Sequence, residues 1–301
     1  MLYLIYTTDT QNQIGTECLF QKTCKEDKDY FKALTLKYHN VIMGRKTFDS
    51  LQKPLKERRN IVLSKSNNSV FEEGYFTDKV SFDPEQDYII AGGKEIYELF
   101  WDKVDVVYHT IHKQPDFGGI KFEPDYSKFA LFEKSESEDL IKEIWVRQPY
   151  KDLPVEFNNS SRFPRLKREV GKYIYFTQQI TATCLENHGI RHTILTQIPS
   201  LHKFNDNKDI CIREELKAKG LVKSGEYWDK EGKIICEGCM STNHSEYLAV
   251  QKAKYASDLN GGTCYLYGHY WSCQNCQEAL KSIGIRRIVM CKDFVKNFLN
   301  I

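Results

Sequence analysis

The stretch "NVIMGRKTF" (residues 40–48) carries the apolar run Val41, Ile42 and Met43 into Gly44, then opens onto Arg45, Lys46 and Thr47. That order reads as a strand, a tight turn and the start of a helix. "YIIAGGKEIY" (88–97) repeats it, with Gly92 and Gly93 at the turn. One such unit is weak evidence, because close packing alone can require glycine. Two of them, flanking the strand-like "RRNIVLSKS" (58–66), describe a repeated architecture whose turns offer backbone N–H groups and cations suited to phosphate. Around these units "LYLIYTT", "EDKDYFKALTLKY", "NVIMG", "RKTFDSL", "NIVLS", "DYIIAGG", "KEIYELF" and "VDVVYHTIHK" alternate strand and helix over residues 2–113. The rhythm predicts an α/β fold, with a largely parallel sheet covered by helices on both faces. "ALFEKSESEDLIKEIWVRQPY" (130–150) reads as an antiparallel hairpin that closes it.

The totals bound the rest. With 301 residues, 41% of them apolar, the chain can bury a real core and is long enough for two domains. Its 43 basic and 41 acidic residues leave a formal charge of +2, so neither nucleic acid nor an anionic membrane is an expected general partner. The start, "MLYLIYTTDTQNQIG", lacks the features of a secretory signal, no segment reaches membrane-spanning length, and a cytoplasmic location is expected. A homo-oligomer is compatible with the sequence. Ten cysteines in a chain of this kind point to metal ligation or to ordinary buried thiols rather than to a disulfide framework. Cys18, Cys24, Cys184, Cys211, Cys264 and Cys291 are read as ordinary.

In "CKEDKDYFKALTL" (24–36) one charge breaks the pattern of a solvated helix start. Asp27 shares a face with Tyr30, Phe31 and Leu34 at i+3, i+4 and i+7. A carboxylate on an apolar stripe must find donors or take up a proton, and either suits it to bind and protonate a nitrogen heterocycle.

These features together resemble the dihydrofolate reductase family. "NQIG", the acidic residue followed by x-x-x-Phe, "VIMGRKTFDSL", "RRNIVLS", "GGKEIY" and "VVYHTI" stand in that family's order over residues 1–150. The resemblance implies that Asp27 holds the pteridine ring, with Thr110 behind it. It also implies that Phe31 packs on the middle ring of dihydrofolate and that Arg58 pairs with its glutamate carboxylate. NADPH would lie along Gly44, Arg45, Lys46, Thr47, Gly92 and Gly93, with Ser64 and Lys65 beside its 2′-phosphate. The sequence departs from the family at Gln21-Lys22, where Pro-Trp is usual, and at Ala91 and Glu95 beside the glycine pair.

The polar "KDLPVEFNNSSRFPRLKRE" (151–169) contains two prolines and is expected to be the join between domains, with a linker at 151–168. Beyond it, a helix is expected at about 169–186 with Gly189 as its stop, and another in "DNKDICIREELKAKG" (206–220). A hairpin turning at "DKEG", a helix "HSEYLAVQKAKYA", a strand "GTCYLYGH" and a helix "SCQNCQEALKSIG" complete the chain.

Cys273 and Cys276, at i and i+3 of a helix start, put two sulfurs on one side. His244 opens the preceding helix, and Glu246 follows two residues later. If the intervening strand is central in its sheet, the two helix starts meet at one sheet edge. One imidazole and two thiolates then make a three-ligand zinc site with a free position for water. The known signature of the zinc-dependent cytidine and deoxycytidylate deaminases is H-x-E followed by P-C-x-x-C. "HSE" and "SCQNC" are similar to it, with Ser272 in the place of the proline. The resemblance implies a cytidine-deaminase-like α/β/α three-layer domain at 169–301, zinc held by His244, Cys273 and Cys276, and Glu246 as the proton shuttle. A redox role for the cysteine pair leaves His244 and Glu246 unexplained. A second C-x-x-C, Cys236 and Cys239, could join Cys211, His188 or His192 around a structural zinc, but no second pair completes it and ordinary thiols are the expectation.

The two halves together suggest a bifunctional enzyme of thymidylate supply, reducing dihydrofolate with NADPH and deaminating dCMP to dUMP. A riboflavin-pathway-like deaminase/reductase is the main rival, although in that family the deaminase comes first and the pattern at Asp27 is missing. A nucleic-acid-editing cytosine deaminase with an inactive reductase-like accessory domain is the other. It would need a basic, aromatic-lined groove, for which only "RFPRLKRE" (162–169) offers a patch.

Overall fold

Val41, Ile42, Met43, Ile89 and Ile90 are fully buried, as runs apolar on both faces must be when helices cover both sides of a parallel sheet. The structure is a computed structural model of the 301-residue chain. It describes all residues except 16–22, 52, 84, 115, 173–179, 198–200, 202, 204–210, 223–225 and 254–258. Cys18, Gln21 and Lys22 therefore lie outside the described residues. The chain divides into two compact units, Met1–Arg147 and Gln148–Ile301.

In the first unit the strands are β1 (Leu2–Asp9), β2 (Asn40–Gly44), β3 (Arg59–Leu63), β4 (Val70–Phe71), β5 (Gly74–Thr77), β6 (Tyr88–Ile90), β7 (Val106–His112), β8 (Phe129–Glu136) and β9 (Leu140–Arg147). They form one mixed sheet in the order β4-β5-β3-β2-β6-β1-β7-β9-β8. From β5 to β7 neighbouring strands run parallel, and β8 and β9 close the sheet as the expected antiparallel hairpin. Helix α1 (Lys25–Tyr38) follows β1, α2 (Arg45–Ser50) follows β2, and α3 (Lys94–Phe100) follows β6. Leu4, Tyr6, Ile42, Ile90, Tyr97 and Phe100 meet in the core between sheet and helix.

The second unit contains β10 (Val155–Asn158), α4 (Phe163–Gly171), β11 (Ala182–Asn187), β12 (Ile190–Thr196), α5 (Ile212–Ala218), α6 (Ser245–Ala253), β13 (Thr263–Tyr267), α7 (Gln274–Ser282), β14 (Arg287–Cys291) and α8 (Lys292–Phe298). Its five-stranded sheet has the order β10-β14-β13-β11-β12, so β13 is central. Phe163 and Leu166 of α4 pack with Ala182, Cys184 and Val289 on one face. Ser245, at the start of α6, bonds to Thr183 on the other, which makes three layers.

Two expectations are corrected. Residues 151–168 are not a linker, because β10 pairs in parallel with β14 and α4 buries Phe163 and Leu166, each contributing about 2 kcal/mol relative to exposure. The buried amide of Gln277 fastens the preceding segment, accepting from Leu153 N (3.0 Å) and donating to Tyr150 O (2.8 Å). Nor does a helix cover 169–186: α4 ends at Gly171, and Ala182–Asn187 is a strand paired with β12 and β13. His188 (φ 48°) and Gly189 (φ 77°) are the two left-handed residues of a tight hairpin turn, not a helix stop. No described helix is long and apolar enough to cross a membrane.

Candidate functional sites

Asp27 lies in the first turn of α1 and is 5% exposed. Thr7 on β1 donates its hydroxyl to the carboxylate at 3.2 and 3.3 Å. His112 on β7 brings Nε2 to 3.2 Å from Oδ2, off the line of a good hydrogen bond. Phe31, at i+4, shares the helix face of Asp27. Arg58 enters from the end of the loop before β3, with its Nη1 donating to Thr35 Oγ1 (2.9 Å) and its Nε to Lys56 O (2.9 Å). Helix α1 thus carries a buried carboxylate in its first turn and, about two turns further on, a guanidinium tied to it.

Thr110 does not support Asp27 as expected. It is fully buried, and its hydroxyl finds no partner among the described residues. Thr7 stands beside it in the parallel register and takes the carboxylate instead. Sequence reasoning missed Thr7 and His112. The signal was present, since "TTD" and "HTIH" place polar groups inside central strands where the pattern otherwise demands apolar ones.

Gly44 ends β2 and donates its N–H to Gly92 O at 2.8 Å, so the two strand-glycine-helix units meet. A Cβ on Gly93 would lie 3.2 Å from Thr47 Oγ1, and one on Gly44 would lie 3.0 Å from Ile96 Cγ1. The Gly92–Gly93 peptide is cis. Arg45 and Lys46 are exposed at the start of α2, and Ser64 and Lys65 lie just past β3, the strand beside β2. Glycines, a hydroxyl and cations thus line one edge of the parallel sheet, at the carboxyl ends of its strands, where such sheets bind ligands.

Residues 1–147 match the family model described as dihydrofolate reductase. Dihydrofolate reductase of Ureaplasma parvum is 33% identical over 137 residues, which are 44% of this chain and 87% of that enzyme. The chain belongs to the dihydrofolate reductase family. The enzyme of Mycoplasma genitalium is 33% identical over 150 residues, covering 46% of this chain and 93% of the relative. That of Bacillus subtilis is 30% identical over 169 residues, covering 54% and 98%. A solved structure, dihydrofolate reductase from Enterococcus faecalis complexed with NADP(H) and RAB-propyl, is 26% identical. It covers 49% of this chain and 96% of its own, with a TM-score of 0.42. The family match ends at residue 147, where the first compact unit ends, so the reductase half is residues 1–147.

In the second unit, Cys273 caps α7 and Cys276 stands in its first turn, while His244 immediately precedes α6. His244 Nδ1 is 3.5 Å from Cys273 Sγ and 3.6 Å from Cys276 Sγ. A tetrahedral zinc with sulfur about 2.3 Å and nitrogen about 2.0 Å away would set N···S edges of about 3.6 Å, so the three side chains are spaced to hold one. Nε2 of His244 lies 3.2 Å from Cys239 O, which fixes the ring with Nδ1 toward the sulfurs. Donation from the Cys276 thiol draws Cys273 below its ordinary range, and the same bond together with burial pushes Cys276 up.

Glu246 is 3% exposed, and its burial raises the carboxyl above its ordinary range. Ser272 donates to Oε1 at 2.9 Å and Ser245 to Oε2 at 3.2 Å, with Ser245 itself held by Thr181 and Thr183. Ser272, which the sequence marked only as a departure from a proline, is thus a partner of the carboxylate. Cys211 and the C-x-x-C pair also depart from expectation. Cys211, Cys236 and Cys239 form a second cluster with their sulfurs within 4.8 Å of one another. His188 and His192 are not part of it.

Proposed function

We propose that the chain is a bifunctional enzyme that reduces dihydrofolate to tetrahydrofolate with NADPH and deaminates dCMP to dUMP with a zinc ion. What supports the first activity is family membership over the reductase half together with the buried Asp27. NADPH, when bound, supplies the hydride. Asp27 holds the pterin ring through its carboxylate and keeps a proton near the bond being reduced, while Thr7 orients that carboxylate and His112 stands beside it. Phe31 packs on the substrate's middle ring and Arg58 takes its glutamate carboxylate. Gly44, Arg45, Lys46, Thr47, Gly92 and Gly93 hold the dinucleotide, with Ser64 and Lys65 toward the 2′-phosphate.

The observation that carries the second activity is the meeting of His244, Cys273 and Cys276 beside a buried Glu246. His244, Cys273 and Cys276 would hold the zinc, which with a further ligand place free would supply a nucleophile of hydroxide strength at neutral pH. Glu246 takes a proton from the attacking group and passes it to N3 of the cytosine ring, then takes the proton of the hydroxyl added at C4 and delivers it to the amine, which departs as ammonia and leaves the C4 carbonyl. Burial suits it to this exchange, because it raises the carboxyl above its ordinary range. Ser272 and Ser245 fix its rotamer.

The test is ammonia release from dCMP, dCTP, deoxycytidine and a pyrimidine riboflavin precursor, run beside NADPH oxidation on dihydrofolate. The reading expects turnover of dCMP and of dihydrofolate. Release from the riboflavin precursor alone, or no NADPH oxidation, would contradict it.

A further inference from the structure

We infer that Cys211, Cys236 and Cys239 bind a second zinc ion, a structural one that clamps the carbonyl on which His244 rests. The three sulfurs come from two segments. Cys211 stands just before α5, whereas Cys236 immediately precedes the 3-10 turn Glu237–Cys239 and Cys239 ends it. Cys211 and Cys236 are fully buried, and none of the three forms a disulfide. The Cys211 and Cys239 sulfurs are 3.2 Å apart, and all three lie within 4.8 Å. Thiolates sharing one tetrahedral zinc would stand about 3.8 Å apart, a spacing between the 3.2 Å of the Cys211–Cys239 pair and the 4.8 Å that bounds the set.

Two backbone donors point at these sulfurs. Lys203 N–H reaches Cys236 Sγ at 3.3 Å, and Arg213 N–H bonds to Cys211. Such donors stabilise thiolate rather than thiol. A divalent ion would take the charge of the clustered thiolates, each thiol giving up its proton to solvent as the ion binds. A soft, three-sulfur set selects zinc over magnesium or calcium.

The link to the neighbouring site is one hydrogen bond. Cys239 O accepts from His244 Nε2 at 3.2 Å, so holding Cys239 holds the imidazole whose Nδ1 faces Cys273 and Cys276. The zinc site stands independently of what the second unit catalyses; the clamp on His244 rests on that histidine's role as a ligand in the proposed deaminase.

Zinc in the freshly purified full-length protein, measured by plasma mass spectrometry, is expected at two ions per chain. Cys211→Ser and Cys273→Ser should each remove one. A single ion lost in Cys273→Ser and kept in Cys211→Ser would overturn the inference while leaving the deaminase reading intact. A single ion with the opposite behaviour would do the reverse. A Cys211–Cys239 disulfide in the freshly purified protein, detected by peptide mass mapping, would also overturn it. Because a serine variant can fail to fold, the folded wild type is titrated with a thiol-specific mercurial, and release of zinc in two equivalents is expected; release of one counts against the site. In Cys236→Ser the remaining zinc should dissociate about tenfold more readily against a competing chelator. An unchanged affinity would contradict the clamp.

Discussion

His112 Nε2 lies 3.2 Å from Asp27 Oδ2, across from the Thr7 hydroxyl that holds the same carboxylate. Two strands, β1 and β7, therefore reach under one helix to aim a single acid. Asp27→Asn keeps the shape but removes the charge, and it should lower reductase kcat by about 10²-fold or more. Thr7→Val removes one donor and should cost about 1 kcal/mol, roughly fivefold in rate. Steady-state NADPH oxidation checks both. Ammonia release should be unchanged in either variant.

Glu246→Ala should abolish ammonia release while the zinc content stays at the wild-type value, because the carboxylate is not among the three clustered ligands. Ser272→Ala deletes the 2.9 Å bond to Oε1 and should slow deamination about fivefold, with dihydrofolate reduction untouched. Loss of zinc in the glutamate variant would count against its role.

Gly92 has φ +124°, and a Cβ there would meet Tyr97 Oη at 3.1 Å and Thr47 Oγ1 at 3.5 Å. Gly92→Ala should therefore destabilise the reductase half by about 1–3 kcal/mol and raise KM for NADPH. Thermal unfolding and KM measurements would show both effects. A variant with wild-type values would mean that this turn does not approach the dinucleotide.

Stability should fall with acid through His109. Burial lowers it to about 4, and it sits against Tyr6 and bonds to Thr8 through Nε2 (2.9 Å). Above pH 6.5 both folded and unfolded states hold it neutral, and its contribution is constant. As pH falls from about 6.5 toward about 4, the unfolded state gains a proton that the folded state refuses, and up to about 3 kcal/mol is lost. Urea unfolding of the wild type and of His109→Gln at pH 7 and pH 5 tests this, with the variant expected to lose less on acidification. In the folded protein, the His109 ring proton resonance should not titrate over that interval.

Much of the fold was legible because its information is local. Strand, glycine and helix start follow one another at Met43, Gly44 and Arg45, and again at Ile90, Gly92 and Lys94, and Asp27 interrupts its own helix stripe. His244, Cys273 and Cys276 were legible for the same reason, as short motifs at helix starts. The failures were non-local. β10 is a four-residue strand that exists only because β14 lies beside it, so "VEFN" read as linker. "ENHG" carries the same glycine whether it ends a helix or turns a hairpin, and the antiparallel partner Ile190–Thr196 decides between them. Thr7 and His112 needed the β1–β7 register, and Cys211 needed a fold that returns it to Cys239 from 28 residues away.

The most direct measurement is ammonia release from dCMP by the full-length protein, stripped of metal by chelation and then reloaded with zinc. Release should vanish on stripping, return with zinc in step with dUMP formation, and stay absent in Glu246→Ala, while NADPH oxidation on dihydrofolate continues throughout. Zinc-loaded protein that binds its metal yet releases no ammonia from dCMP, dCTP or deoxycytidine would contradict the assignment of His244, Cys273, Cys276 and Glu246 to a deaminase.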